Sequence, residues 1–171
     1  MLTLFLFRHG KSDWDANYDT DHERPLAQRG VRAAKVMGNF LAAIDQVPEL
    51  ALTSSARRAR ETLDLASRQG DWGCPVQIKE ELYDTGVDKL LGLLHSFDER
   101  PKSLLVSGHE PTCSEAMGKL IGEANVRFPT GAIARIDFTV ESWHQVNFGT
   151  GELRWFIPPK LLTKSGVKFS N

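Results

Sequence analysis

Residues 2 to 7 read Leu-Thr-Leu-Phe-Leu-Phe, an apolar run of strand length broken only by Thr3. A strand with one face in water alternates apolar and polar side chains, whereas a near-continuous apolar run marks a strand covered on both faces. Leu104 to Ser107 reads the same way, and Leu50 to Thr53 and Val76 to Ile78 are shorter strand candidates. Between them the apolar positions change period. Val31, Ala34, Met37, Leu41 and Ile44 share one helical face, with Arg32, Lys35 and Asn39 between them. Ala59, Leu63 and Ala66 do the same, with Ser54 or Ser55 as the expected cap, and so do Val87, Leu90, Leu91, Leu94 and Phe97, then Cys113, Met117, Leu120 and Ile121.

Strands that alternate with helices imply a mainly parallel sheet with helices on both faces. Near the end, Ala134, Ile136, Phe138 and Val140 alternate with polar residues, which predicts a half-buried strand. A turn at Thr150-Gly151 and a return through Leu153, Trp155 and Ile157 predict an antiparallel hairpin at one edge. The expected fold is α/β, a three-layer αβα sandwich with an antiparallel edge. With 171 residues and about 150 per domain, residues 1–171 are expected to form a single domain. The segment from Pro158, carrying Lys160, Lys164 and Lys168, is expected to be a solvated tail.

The 21 basic and 22 acidic residues give a net charge of −1, which argues against a general nucleic-acid or polybasic membrane binder. Two cysteines, Cys74 and Cys113, with no CxxC pair make a disulfide framework or a structural zinc site unexpected; both read as small buried hydrophobes. The opening apolar run is too short to span a membrane and has neither a basic leader nor a cleavage pattern, so a cytoplasmic protein is expected.

Chemistry is expected where strands end. Phe7-Arg8-His9-Gly10, Thr53-Ser54-Ser55-Ala56-Arg57-Arg58 and Val106-Ser107-Gly108-His109 each place polar residues at the carboxyl end of an apolar strand, where ligands bind in an open α/β sheet. This brings His9 and His109 to one rim with several arginines. Arginine offers permanently charged planar donors suited to phosphate, and a helix starting near Ser55 would add backbone N–H groups. A neutral imidazole attacks phosphorus through one ring nitrogen while the other carries the proton. The loop from Arg8 to Leu26 is longer than loops usually are unless they are functional. Arg57, Arg58 and Arg60 also fit a solvated helix face. His22, His95 and His144 read as surface or packing residues, and Trp14 as a residue of the pocket rim.

Taken together, Leu6-Phe7-Arg8-His9-Gly10, Arg24-Pro25-Leu26 with Gly30, Ser54 through Thr62, and Ser107-Gly108-His109 resemble the histidine phosphatase superfamily in order and spacing. The resemblance spans residues 2 to about 140 and implies a phosphoglycerate mutase-like fold. It implies that His9 is the residue that becomes phosphorylated. Arg8, Arg58 and His109 would hold the phosphoryl group, with no cofactor and no metal. It further implies a carboxylate proton donor, for which Asp84 in Leu82-Tyr83-Asp84 is the expectation and Glu81 the rival. His109-Glu110-Pro111-Thr112-Cys113 superficially resembles a zinc helix motif, but Cys113 stands where the second histidine belongs and Pro111 suits a helix start.

The opening Arg8-His9-Gly10-Lys11-Ser12-Asp13-Trp14-Asp15 departs from the mutase-like pattern. Lys11 replaces a Glu, and Asp15 stands where a phosphate-binding Asn would be, which argues against mutase activity. With the Arg24-Pro25-Leu26 and Ser54-to-Thr62 segments, it is similar to the SixA-type phosphohistidine phosphatases. The expected substrate is therefore a phosphorylated protein. A small phosphomonoester, or a non-catalytic phosphate-binding module, is the alternative.

Overall fold

The computed structural model describes residues 1–164. Six strands form one sheet: β1 (Leu2–Arg8), β2 (Leu50–Ser54), β3 (Val76–Lys79), β4 (Ser103–Gly108), β5 (Ile133–Phe138) and β6 (Gly151–Ile157). Their spatial order is β3-β2-β4-β1-β5-β6, parallel from β3 to β1 and antiparallel from β1 through β5 to β6. The helices are α1 (Gln28–Ala43), α2 (Arg57–Gln69), α3 (Val87–His95), α4 (Thr112–Leu120) and α5 (Pro159–Lys164).

The apolar run of β1 is explained by its place in the middle. Leu2, Leu4 and Leu6 pack with Val87, Leu90 and Leu94 of α3 and Cys113, Met117 and Leu120 of α4 on one face. Phe5 and Phe7 pack with Met37 and Leu41 of α1 and Leu63 and Ala66 of α2 on the other. Successive side chains of a strand point to opposite faces, so a strand inside a three-layer fold must be apolar at every position.

Three expectations change. Neither Ser54 nor Ser55 caps α2: its N-cap is Ala56, without a side-chain cap bond, and the Ser54 hydroxyl is turned to the site described below. β5 is buried at all but one position, because it lies between β1 and β6. Its polar residues bond within the fold: Asp137 accepts from Thr3 Oγ1 at 2.8 Å and from Arg135 Nε at 2.9 Å. The segment after Pro158 is not simply a solvated tail, since 159–164 form α5 beside α1 and Leu162 packs against the second core cluster. Lys168 lies outside the described residues.

One close approach fixes where β1 delivers its end. A Cβ on Gly30 would stand 2.3 Å from the carbonyl oxygen of Lys11. Glycine there lets the start of α1 lie directly on the chain that follows His9. The Ala27 N–H donates to that same carbonyl at 2.8 Å, and Ser12 bridges to Leu26.

Candidate active site

The sheet register places the two motif histidines side by side. Arg8 pairs with Gly108 across the parallel β1–β4 ladder, so the next residue of each strand, His9 and His109, emerges at the same level. Their ring centroids are 5.0 Å apart, and the His9 N–H donates to the Gly108 carbonyl at 3.0 Å. Thr53 pairs with Ser107, which brings Ser54 level with this rim. Ser54 Oγ lies 2.8 Å from His109 Nε2.

His9 is buried, and its Nδ1 is 2.7 Å from the carbonyl of Gly10. A carbonyl only accepts, so Nδ1 carries the proton and Nε2 keeps its lone pair. Gly10 is itself anchored: its N–H donates to Thr62 Oγ1 at 2.9 Å, and that hydroxyl donates to the Arg58 carbonyl at 2.6 Å. Thr62 thus ties α2 to the residue that orients the imidazole.

Burial lowers the His9 pKa to about 3, reinforced by the nearby His109, Arg58 and Arg8 charges, against the opposing bond to Gly10. His109 is lowered to about 4 by burial, with Arg58 and Arg8 adding to the effect and Asp21 opposing it. Both rings are neutral near pH 7. The Ser54 hydroxyl already accepts from the Ala56 N–H at 3.3 Å, so its own hydrogen is free to point at His109 Nε2. The proton of neutral His109 then sits on Nδ1.

Both motif arginines are held from behind. Arg8 donates from Nη1 to the Phe128 carbonyl at 2.6 Å. Arg58, buried at the start of α2, donates from Nη1 to the Asp21 carbonyl at 2.7 Å and from Nη2 to the Asp21 carboxylate at 3.1 Å. Arg8 Nε, Arg58 Nε and His109 Nδ1 are buried and have no hydrogen-bond partner among the described residues. A buried donor left unpaired costs roughly 1–3 kcal/mol, more when charged. All three belong to residues near enough to His9 to act on its charge, and such donors beside a neutral imidazole can receive an oxyanion.

Asp21, His22 and Tyr83 also belong to this place, although the sequence singles out neither Asp21 nor Tyr83 and reads His22 as a surface or packing residue. Asp21 Oδ1 also accepts from Arg24 Nη2 at 2.8 Å, and Asp21 Oδ2 from Tyr83 Oη at 3.3 Å. Partial burial alone would raise the Asp21 carboxyl, but Arg58 and Arg24 hold it below the ordinary value. His22 presents Nε2 to Ser55 Oγ at 3.0 Å and Nδ1 to Glu23 Oε1 at 2.8 Å. The available signal was position: Asp21 lies three residues before Arg24, inside a loop already too long to be passive.

The remaining expectations fall as follows. Asp84 is exposed, with its backbone in the left-handed region at φ 51°. Asp84 and Glu81, which is also exposed, make no hydrogen bond or ion pair among the described residues. Trp14 is 62% exposed, with the Arg24 guanidinium 3.4 Å from its ring centroid. Asp15 is exposed, and its N–H donates to the Asp13 carboxylate at 3.0 Å. Cys113 is buried in α4, and burial pushes its thiol up. His95 packs with Nε2 2.7 Å from the Val146 carbonyl.

Two adjacent strand ends carrying Arg-His and Gly-His, with an arginine from the next helix, define a class. The sequence profile of the histidine phosphatase superfamily (branch 1) matches residues 4–144, and the chain belongs to that superfamily. Within it the protein is a phosphatase, and it is similar to proteins of the SixA type. Phosphohistidine phosphatase SixA of Escherichia coli is 28% identical over 164 residues, covering 92% of this chain and 94% of that protein. An uncharacterised protein of Mycobacterium leprae is 30% identical over 165 residues, covering 90% of this chain and 99% of that one. The solved structure of the protein histidine phosphatase SixA complexed with tungstate matches with a TM-score of 0.81 at 26% identity, covering 94% of this chain and 99% of that one. Among the described residues, no helix is long and apolar enough to cross a membrane.

Proposed function

We propose that this phosphatase hydrolyses phosphohistidine carried on a protein, through a phosphoryl group held transiently on His9. The observation that carries the reading is a neutral His9 with the His109 ring 5.0 Å away and Arg8 and Arg58 close enough to act on it, each of these three neighbours holding a buried, unpartnered donor. His9 Nε2 attacks phosphorus as the bond to the leaving group breaks. The two arginines and His109 take up the charge that gathers on the equatorial oxygens. Water then attacks phospho-His9, and His9 Nε2 leaves as a neutral imidazole.

Support for the substrate comes from the SixA relatives and from leaving-group chemistry. Tungstate, present in one of them, is a tetrahedral oxyanion like phosphate. Asp84, the expected proton donor, is exposed and unbonded, as is Glu81. An imidazole departs as a neutral molecule after one protonation and asks less of such a carboxylate than an alkoxide does.

Rapid-quench labelling tests the proposal, using a peptide bearing radiolabelled phosphohistidine with the wild type and His9→Ala. The expected result is an acid-labile, alkali-stable label on the wild type alone. Labelling by small phosphate esters but not by the peptide would assign a small-molecule substrate instead. Tight phosphate binding with no phosphoenzyme from either would leave only a binding module.

A further inference from the structure

His9, His109, Tyr83 and His22 form a row of rings with successive centroid distances of 5.0, 5.9 and 4.9 Å. His9 begins the row and His22 ends it. At that end three residues form a continuous chain of polar atoms: Glu23 Oε1 is 2.8 Å from His22 Nδ1, and His22 Nε2 is 3.0 Å from Ser55 Oγ. Ser55 follows Ser54, which bonds His109. The backbone and carboxylate of Asp21, the residue before His22, hold Arg58. The chain is therefore attached on two sides to the groups that would grip a phosphoryl oxygen.

Its chemistry is directional. The Glu23 carboxylate only accepts, so His22 Nδ1 carries a proton in either charge state. When the ring is neutral, the Ser55 hydroxyl donates to Nε2. When it is an imidazolium, Nε2–H donates to Ser55 Oγ and turns the hydroxyl hydrogen outward. A carboxylate, an imidazole and a hydroxyl in this order are the parts from which a proton is moved at a reacting centre.

We propose that Ser55, backed by His22 and Glu23, protonates the leaving group and later deprotonates the attacking water. The proposal rests on the phospho-His9 reading above. In the first step the bond from His9 Nε2 to phosphorus forms and the bond to the leaving group breaks. The leaving group takes the Ser55 hydroxyl proton, on the oxygen of an alkyl ester or on the far ring nitrogen of a phosphohistidine, and Ser55 Oγ takes the proton of His22 Nε2, which leaves His22 neutral. In the second step water bonds to phosphorus and the phosphorus–nitrogen bond breaks. The water proton passes to Ser55, and the Ser55 proton returns to His22. Each cycle consumes one water and restores every group. Ser55 is the group that touches the leaving group, and His22 and Glu23 act through it.

The test compares leaving groups, because a residue that only supports the fold affects all substrates alike. The readouts are kcat/KM on an alkyl phosphate and a phosphohistidine peptide, whose leaving groups need a proton, and on 2,4-dinitrophenyl phosphate, whose leaving group does not. Ser55→Ala and His22→Gln are expected to lose about a hundredfold on the alkyl phosphate, about tenfold on the phosphohistidine peptide and at most about twofold on the dinitrophenyl ester, with Glu23→Gln following the same pattern more weakly. Equal losses on all three, or no loss on any, overturns the relay. A leaving-group-selective loss in Asp84→Asn, but not in the Ser55 and His22 variants, also overturns it and assigns the proton to Asp84. Wild-type turnover of the dinitrophenyl ester that disappears in His9→Ala keeps the phosphatase chemistry standing if the relay fails. Loss of that control fails the underlying reading instead.

Discussion

Arg58 gives two of its donors to Asp21, Nη1 to the backbone carbonyl at 2.7 Å and Nη2 to the carboxylate at 3.1 Å. This pair connects the first turn of α2 to the loop after β1, two segments separated by 37 positions. It leaves Nε as the unpartnered edge of the guanidinium. The same carboxylate meets Arg24, so two buried arginines share one half-exposed counter-ion.

Asp21→Ala removes that shared partner. Two buried guanidinium groups then lack their acidic partner, although solvent already reaches the carboxylate and tempers the loss. The expected destabilisation is about 1–2 kcal/mol in urea unfolding. Turnover is expected to fall at least about tenfold, because Arg58 keeps only the backbone carbonyl of its two anchors on this residue. Unchanged stability and unchanged kcat/KM would contradict the role described for this ion pair.

His9 makes stability depend on pH. Its folded pKa, about 3, lies below its unfolded value near 6.5, so the unfolded chain binds the proton first. The neutral ring's contribution is therefore fully present above pH 6.5 and is lost as pH falls toward 3. Between pH 7 and 5 this one group accounts for about 2 kcal/mol. His109, lowered to about 4, adds a loss of the same sign over the same interval. His9→Asn removes one titration, so urea unfolding at the two pH values should show about 2 kcal/mol less loss than in the wild type. Equal pH sensitivity would mean that His9 is not held neutral by burial.

Thr62→Val keeps the shape and deletes the hydroxyl between Gly10 N–H and the Arg58 carbonyl. A buried backbone donor is left unpaired, with an expected cost of about 1–3 kcal/mol. Gly10 also orients His9, so kcat should fall more than KM rises. Steady-state kinetics and thermal unfolding measure the two effects separately.

Gly30→Ala sets a methyl group 2.3 Å from the Lys11 carbonyl oxygen, a contact with backbone that no side-chain rotation relieves. The loop after His9 or the start of α1 must shift. A loss of about 3 kcal/mol or more in urea unfolding is expected. A wild-type midpoint would show that this approach is looser than described.

Much of this was legible in the chain order. The apolar run of β1 required cover on both faces, and α1 to α4 provide it. The motifs that end β1 and β4 brought His9 and His109 to one rim, and the β1–β4 register explains why they are neighbours. The burial of β5 was not legible, because alternation of Arg135 and Asp137 with apolar residues also describes a strand facing water. Only the bonds from Thr3 and Arg135 to Asp137 show how those polar groups are met inside the fold.

The sequence by itself determined the layered α/β fold, the superfamily motifs and the three strand-end segments that carry them. These depend on local periodicity and on residue types at fixed spacing, which survive in one dimension. The tertiary structure alone decided that Asp21 holds Arg58, that His22 faces Ser55 rather than open solvent, and that Asp84 is left exposed. Those outcomes depend on how an irregular loop closes over a helix start. No periodicity governs such a loop, and its side chains find partners from distant segments only once the sheet has set the positions of both.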